Sequence, residues 1–74
     1  MNKKNAYKFH PVDTNICVEN IGNRFDLILV ASQRIRELRK GSKQLVKMED
    51  NHPVIALTEI EQGLIGKEYL TKIK

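Results

Sequence analysis

The chain has 74 residues, a net charge of +4 and one cysteine, and these properties exclude several classes of protein. A chain of this length forms one domain at most and buries only about 60% of its unfolded surface. One cysteine excludes an intramolecular disulfide, and His10 and His52 lie far apart without the spacing of metal ligands. No apolar run approaches the roughly 20 residues that cross a bilayer. The surface of a larger partner is therefore the stabiliser that remains for so small a core.

Residues 1–12 predict an irregular N-terminal arm. They contain three lysines and two asparagines, with Pro11 near their end, and terminal segments are rarely ordered unless they dock. No apolar stretch follows Lys3 and Lys4, so a signal peptide is not expected. The lone cysteine also favours the cytoplasm as the location of the protein.

Two helices are predicted after the arm. Side chains suited to capping occupy residues 13–15, which favours a short helix over about 14–20, and Gly22 is placed to end it. Asn23 then has the position of an N-cap, with Asp26 three residues later. The main helix is predicted from residue 24 to about 40, where Gly41 follows.

The main helix has more apolar surface than a small core needs. One stripe follows its length at helical spacing: Leu27, Ala31, Ile35 and Leu38. Three further apolar side chains widen that stripe in the first two turns: Phe25, Ile28 and Leu29. A helix that lies on a small core needs only one stripe, so we expect the first half to be buried on two sides, with Phe25 and Leu29 as anchors. A strand over Leu27 to Val30 is the alternative for this run.

The remainder of the chain predicts a loop, a third helix and a tail. Residues 41–52 are mostly polar, and His52 and Pro53 suit the N-cap and first position of a helix that ends near Gln62. The apolar stripe of this helix consists of Ala56, Leu57, Ile60 and Leu64. Glu59 and Glu61 lie near its negative end, which is unfavourable, so this helix is expected to rely on packing and on basic neighbours, which residues 34–47 can supply. The predicted fold is a small all-α domain over 13–66, with a C-terminal tail over 67–74.

The sequence offers no catalytic constellation. The glycines lie at the ends of predicted elements and form no phosphate loop. Cys17 would need a histidine brought to it by folding to act as a nucleophile, and we expect a small buried packing residue instead. We therefore predict no catalytic, cofactor-binding or metal-binding residue, and a protein that is not an enzyme by itself.

Residues 34–47 carry a net charge of +5, and residues 48–62 carry −4. A basic run can bind nucleic acid, and a small basic helix–loop–helix DNA-binding regulator is the alternative function. Direct nucleic-acid contact is not expected, since no aromatic residue lies between Phe25 and Tyr69 to stack on bases. The acidic block can also pair with much of the basic charge.

Two blocks of sequence resemble a known family. The first runs Ile21-Gly22-Asn23-Arg24-Phe25-Asp26-Leu27-Ile28-Leu29-Val30-Ala31, and the second runs Val54-Ile55-Ala56-Leu57-Thr58-Glu59-Ile60-Glu61-Gln62-Gly63-Leu64-Ile65. Together they resemble the signature of the omega subunit of bacterial RNA polymerase, in the right order and at a familiar separation. The resemblance covers about residues 13–66. The N-terminal residues differ from those of the family, so no binding residue for the alarmone guanosine tetraphosphate is carried over.

The resemblance implies a function as an accessory subunit. Omega-like proteins clasp the largest polymerase subunit, beta-prime, and aid its folding and its addition to the alpha and beta subunits, without chemistry of their own. The resemblance also implies a cytoplasmic location, in which the polymerase brings the chain to the nucleoid, and no contact with a membrane. The residues expected at the interface with beta-prime lie in the two blocks: Asn23, Arg24, Phe25, Asp26, Leu29, Ala56, Leu57 and Ile60.

Overall fold

A computed structural model describes residues 12–73, so the predicted N-terminal arm lies outside the described residues except for Val12. Four helices form the described part: α1 (Thr14–Ile21), α2 (Arg24–Arg39), α3 (His52–Glu61) and α4 (Glu68–Ile73). Residues 12–73 contain no strand. The predicted all-α fold is therefore confirmed, and the alternative of a strand over Leu27 to Val30 is wrong.

The start of α2 is fixed by the predicted cap. The side-chain oxygen of Asn23 accepts a hydrogen bond from the backbone N–H of Asp26 at 2.8 Å, and its amide nitrogen donates to the Asp26 carboxylate at 2.8 Å. This reciprocal pair satisfies an N–H group that has no partner within the helix. Asp26 also places its negative charge at the positive end of α2.

Removal of the Asn23 cap is expected to destabilise the free chain. Asn23→Ala should lower the free energy of unfolding by about 1 kcal/mol, because the Asp26 N–H loses its acceptor. Urea denaturation followed by circular dichroism measures this change. Asn23→Ser, which keeps a capping oxygen, is the matched control and should stay within a few tenths of a kcal/mol of the wild type. Equal losses in both variants would contradict the capping role.

The ends of α2 and α3 use the same hydrogen-bond pattern. Gly41 and Gly63 both have positive φ angles, 103° and 79°, which a residue with a side chain rarely adopts. In each case the backbone N–H of the residue after the glycine donates a hydrogen bond to a carbonyl oxygen in the last turn of the helix. Ser42 N donates to Glu37 O at 3.0 Å, and Leu64 N donates to Glu59 O at 2.9 Å. Both predicted helix ends are confirmed as Schellman motifs.

The beginning of α3 differs slightly from the prediction. The helix starts at His52, and the N-cap is Asn51, whose side chain accepts from Val54 N at 3.1 Å. The predicted cap at His52 is therefore wrong by one residue. An Asn carbonyl oxygen at this position accepts the free N–H group directly, which explains why it takes the cap.

Two clusters of buried apolar side chains hold the helices together. The larger cluster joins all four helices and includes the following residues: Cys17, Ile21, Leu27, Val30, Ile60, Ile65 and Tyr69. The smaller cluster joins the second half of α2 to the start of α3 through Leu38, Ile55 and Ala56. Val46 and Met48 pack on this smaller cluster, so the loop between α2 and α3 is attached to the core by its own apolar residues.

Helix α4 was not predicted by the sequence, which placed residues 67–74 in a tail. Its Tyr69 side chain lies in the larger cluster, and its hydroxyl donates a hydrogen bond to Glu37 on α2 at 2.7 Å. A helix of six residues has little stability alone. Its order therefore depends on these tertiary contacts, which a local sequence pattern does not contain.

Candidate partner interface

One side of α2 faces away from both core clusters, and we call it the outer face. It consists of side chains three or four residues apart along the helix: Phe25, Ile28, Leu29, Ser32, Arg36 and Arg39. Phe25 is 70% exposed and Ile28 is 57% exposed. The opposite side of the helix is buried through Leu27, Val30 and Leu38. The first half of α2 is thus apolar on two sides, and the described residues cover only one of them.

Four of the predicted interface residues lie together where α2 begins. Arg24 and Phe25 are exposed, while Asn23 and Asp26 form the cap described above. Leu29 follows one turn later and is half-buried. These residues are placed where a partner could contact them.

The three predicted residues on α3 lie elsewhere. Ala56 and Ile60 are completely buried inside the chain's own core, and the half-buried Leu57 packs against the larger cluster. In this conformation neither Ala56 nor Ile60 has surface left for a partner. The apolar pattern of α3 identifies buried positions correctly, but the surface that buries them belongs to the same chain. The candidate interface is therefore the outer face of α2.

Behind the outer face lies a buried ion pair between α2 and α3. Arg34 is 4% exposed and Glu59 is completely buried. Two hydrogen bonds join them: Nε to Oε1 at 2.5 Å and Nη2 to Oε2 at 3.1 Å. This two-point geometry matches the planar guanidinium to the planar carboxylate. The expectation that a basic side chain from residues 34–47 would lie beside Glu59 is confirmed.

The pair also positions the loop between α2 and α3. Arg34 donates to the carbonyl oxygen of Lys43 at 2.9 Å, and Glu59 accepts from the backbone N–H of Leu45 at 2.7 Å. Within residues 12–73, no buried side-chain nitrogen or oxygen lacks a hydrogen-bond partner. The hydrogen bond and charge of Glu59 raise the pKa of Arg34 above its ordinary value despite burial, so the arginine stays charged.

The sequence places Arg34 in a basic run that is expected at the surface, whereas the structure buries it. The signal is present in the helical spacing. Leu27, Val30, Arg34 and Leu38 are the buried residues of α2, and they follow one another at intervals of three or four. A basic residue in register with a buried stripe indicates an interior charge that needs an acidic partner.

Glu37 extends the network from Arg34 to α4. It accepts hydrogen bonds from Tyr69 Oη at 2.7 Å and from Lys72 Nζ at 3.0 Å, and it lies 3.3 Å from Arg34 Nη1. Burial acts to raise the pKa of the Glu37 carboxyl, but hydrogen bonds from Tyr69, Lys72 and Gln33 outweigh it and lower the pKa from 4.5 to about 2. Burial, and then the hydrogen bond to Glu37, raise the pKa of the Tyr69 hydroxyl.

The lowered pKa of Glu37 predicts a loss of stability in acid. A carboxyl whose pKa falls on folding stabilises the protein above its unfolded value of 4.5, and this contribution disappears as the pH falls towards 2. The difference corresponds to at most about 3 kcal/mol, and solvent at the half-exposed Lys72 reduces it. Glu37→Gln should therefore remove part of the pH dependence of the free energy of unfolding between about pH 5 and pH 2.

Urea denaturation of the free chain at a series of pH values measures this effect. The matched control is Glu19→Gln, which removes an exposed carboxylate on α1 and should leave the hydrogen bonds to Glu37 intact. If Glu37→Gln and the wild type lose stability in parallel as the pH falls, the Glu37 network does not contribute to the acid sensitivity of the chain.

Cys17 has the packing role that the sequence predicted. It is completely buried in the larger cluster, and its sulfur lies 3.4 Å from the carbonyl oxygen of Leu57. Burial, followed by the negative charges of Glu61 and Asp13, raises the pKa of its thiol. A thiol with a raised pKa is a weaker nucleophile at neutral pH, since the thiolate is the reactive form.

Residues 12–73 hold no group of three or more histidine, cysteine, aspartate or glutamate side chains that could bind a metal ion. None of the helices in the described part of the chain is both long enough and apolar enough to span a membrane.

Comparisons with known proteins match the part of the chain that holds the outer face and the buried pair. The RNA polymerase Rpb6 family model matches residues 17–66. Subunit omega of the DNA-directed RNA polymerase of Vibrio cholerae is 58% identical over 55 residues, and that of Aliivibrio fischeri is 54% identical over 55 residues. Each alignment covers 72% of this chain and 61% of the relative, so the chain spans less than two thirds of the length of these relatives.

Proposed function

This chain belongs to the RNA polymerase Rpb6 family, and on that premise we propose that it is an accessory subunit of a bacterial DNA-directed RNA polymerase. It binds the largest subunit, beta-prime, and promotes its folding and its assembly with the alpha and beta subunits. The exposure of Phe25 and Ile28 on the outer face of α2 carries this proposal. These side chains lie within the matched residues 17–66 and leave apolar surface for a partner to cover.

The energy of burial supports this use of the outer face. Complete burial of an apolar side chain of this size contributes about 1.5–3 kcal/mol. Phe25 is 70% exposed in the free chain, so most of this contribution is available to binding. A typical stable interface needs about 800 Å² on each partner, which is more than two side chains provide. Phe25 and Ile28 are therefore anchors of a larger contact.

The proposed role requires no chemistry from the chain itself. The buried charged groups Arg34 and Glu59 are paired with each other and with backbone groups of the loop. This pairing favours a structural role, in which the network holds α2 at a fixed position against α3. A polymerase subunit of this kind acts in the cytoplasm, at the nucleoid.

A small basic DNA-binding regulator is the second candidate. Its support is the exposed basic charge at the end of α2, where Arg36, Arg39 and Lys40 are exposed together. A protein that binds DNA through such charges loses affinity steeply as salt rises. The family match favours the polymerase subunit, but the two functions predict different partners and can be separated by one experiment.

That experiment is a pull-down with the tagged full chain and purified polymerase subunits. We expect the chain to retain beta-prime, alone or with alpha and beta, and to show no salt-sensitive binding to duplex DNA. A tagged Phe25→Asp chain is the matched control and should retain much less beta-prime. Absence of beta-prime from the bound fraction, with tight salt-sensitive DNA binding by the chain, would overturn the proposal in favour of the regulator.

A further inference from the structure

The outer face of α2 changes its chemistry along its length. Its first half presents the exposed apolar side chains Phe25 and Ile28, and its second half presents the exposed basic side chains Arg36 and Arg39. Ser32 lies between the two halves. At a rise of about 1.5 Å per residue, the distance along the helix from Phe25 to Arg39 is about 21 Å. One continuous surface is thus apolar at one end and positive at the other.

The positive end has no negative partner in the described part of the chain. The two acidic residues of α2 are engaged elsewhere: Asp26 with Asn23, and Glu37 with the network of Arg34, Tyr69 and Lys72. Arg36 donates only to the side-chain oxygen of Gln33, at 3.2 Å. No ion pair within residues 12–73 involves Arg36 or Arg39.

The helix end explains only part of this pattern. Basic residues in the last turn of a helix are favourable because they lie near its negative end. Arg36 and Arg39 both lie in that last turn, but the helix end does not require them to share the outer face with the apolar side chains Phe25 and Ile28. The positive charge also continues past the helix into Lys40 and Lys43, both exposed.

We infer that the outer face of α2 binds an acidic amphipathic segment of its protein partner. The apolar side chains of that segment lie on Phe25 and Ile28, and its carboxylates pair with Arg36 and Arg39. This inference rests on the proposed function and specifies the chemistry of the beta-prime segment that meets α2. Opposite charges at one end and apolar contacts at the other also fix the direction in which the segment lies along the helix.

A nucleic acid fits this surface less well. A phosphate backbone carries negative charge along its whole length, so a strand aligned with α2 would place phosphates against Phe25 and Ile28, where the outer face itself carries no positive side chain. A protein segment can match both halves because its sequence can change from apolar to acidic over the same distance.

Charge substitutions on the outer face test the inference. The double variant R36Q/R39Q removes both charges without adding a carboxylate near the negative end of α2. The matched control is K47Q/K67Q, which removes two exposed positive charges outside the outer face. Affinity for purified beta-prime is measured for both by fluorescence titration between 50 mM and 500 mM salt, with circular dichroism to verify folding.

We expect R36Q/R39Q to bind beta-prime at least tenfold more weakly than the wild type at the lowest salt, with a shallower decrease as salt rises. The control should remain within about twofold of the wild type. Wild-type affinity in R36Q/R39Q, with binding lost in Phe25→Asp, would overturn the inference while the proposed function stands. A wild-type chain that does not bind beta-prime would contradict the proposed function itself, and loss of duplex-DNA binding in R36Q/R39Q would then identify a nucleic acid as the partner.

Discussion

Replacement of Glu59 by alanine is expected to remove most of the stability of the free chain. The substitution leaves Arg34 buried and charged, with its carboxylate partner removed, and breaking a buried pair in this way costs about 3–5 kcal/mol. Arg34 is only 4% exposed, so water cannot readily replace the lost carboxylate. The loop also loses a contact, because Leu45 N donates to Glu59 at 2.7 Å. A domain of this size has a net stability of only a few kcal/mol, which is comparable to the loss.

A double-mutant cycle measures this coupling. Urea denaturation compares three variants: Glu59→Ala, Arg34→Ala and the double variant. The double variant should lose less free energy of unfolding than the two single variants lose in total. An Arg34→Met and Glu59→Leu pair should recover part of the stability, since apolar side chains of similar size need no charge partner. Glu19→Ala, at an exposed position on α1, is the control. Additive effects of the two single substitutions would contradict the account of Arg34 and Glu59 as one unit.

Charged substitutions at Phe25 and Ile28 are expected to weaken assembly with beta-prime strongly while the fold stays intact. Substitution of both outer-face anchors by aspartate is expected to weaken binding to beta-prime by about 2–4 kcal/mol, or roughly 30- to 1,000-fold, the range of interface hot spots. The free chain should keep its stability within about 0.5 kcal/mol, because Phe25 and Ile28 are mostly exposed and surface substitutions of this kind have small effects.

The variant for this experiment is F25D/I28D, and its matched control is Leu64→Asp. Leu64 is 45% exposed but lies beyond α3, outside the outer face. Competition for beta-prime against a labelled wild-type chain gives the affinity, and thermal unfolding of the free chain gives the stability. Equal affinity in F25D/I28D and the wild type would exclude the outer face as the interface, whereas a large loss of stability would show that these side chains belong to the core.

The two substitutions differ in a way that separates folding from binding. Glu59 lies in the interior, so its replacement should lower the free energy of unfolding. Binding to beta-prime should then weaken only because less of the chain is folded. Phe25 lies on the surface and its replacement should affect binding alone. This contrast between two residues of one small domain follows directly from their exposure, since one is completely buried and the other is 70% exposed.

Local sequence signals were sufficient to predict three helices and most of their ends. The Asn23 cap and the glycines after α2 and α3 act within a few residues of themselves, so their effects are visible in the sequence alone. Contacts between distant residues are not visible in this way. Arg34 and Glu59 are 25 residues apart in sequence, and helix α4 is held by the contact between Tyr69 and Glu37.

The candidate interface was predicted in part for the same reason. An excess of apolar residues in the first half of α2 predicted a second buried side, and the structure places Phe25 and Ile28 on the exposed side of the helix. On α3, the apolar stripe predicted burial at Ala56 and Ile60 but not which surface covers them. The chain's own core does so, and hydrophobic periodicity does not distinguish a core from an interface.

Site-specific photo-cross-linking within the assembled polymerase shows which molecule lies against the outer face of α2. A photoreactive phenylalanine analogue at Phe25 keeps the size and apolar character of the side chain, and the same analogue at Glu19 on α1 serves as a control outside the outer face. We predict that the Phe25 position forms a covalent adduct with beta-prime in high yield, and that the Glu19 position forms little or none. An adduct of the Phe25 position with a different subunit or with DNA, or no adduct in a polymerase that contains the chain, would contradict the proposed contact between α2 and beta-prime.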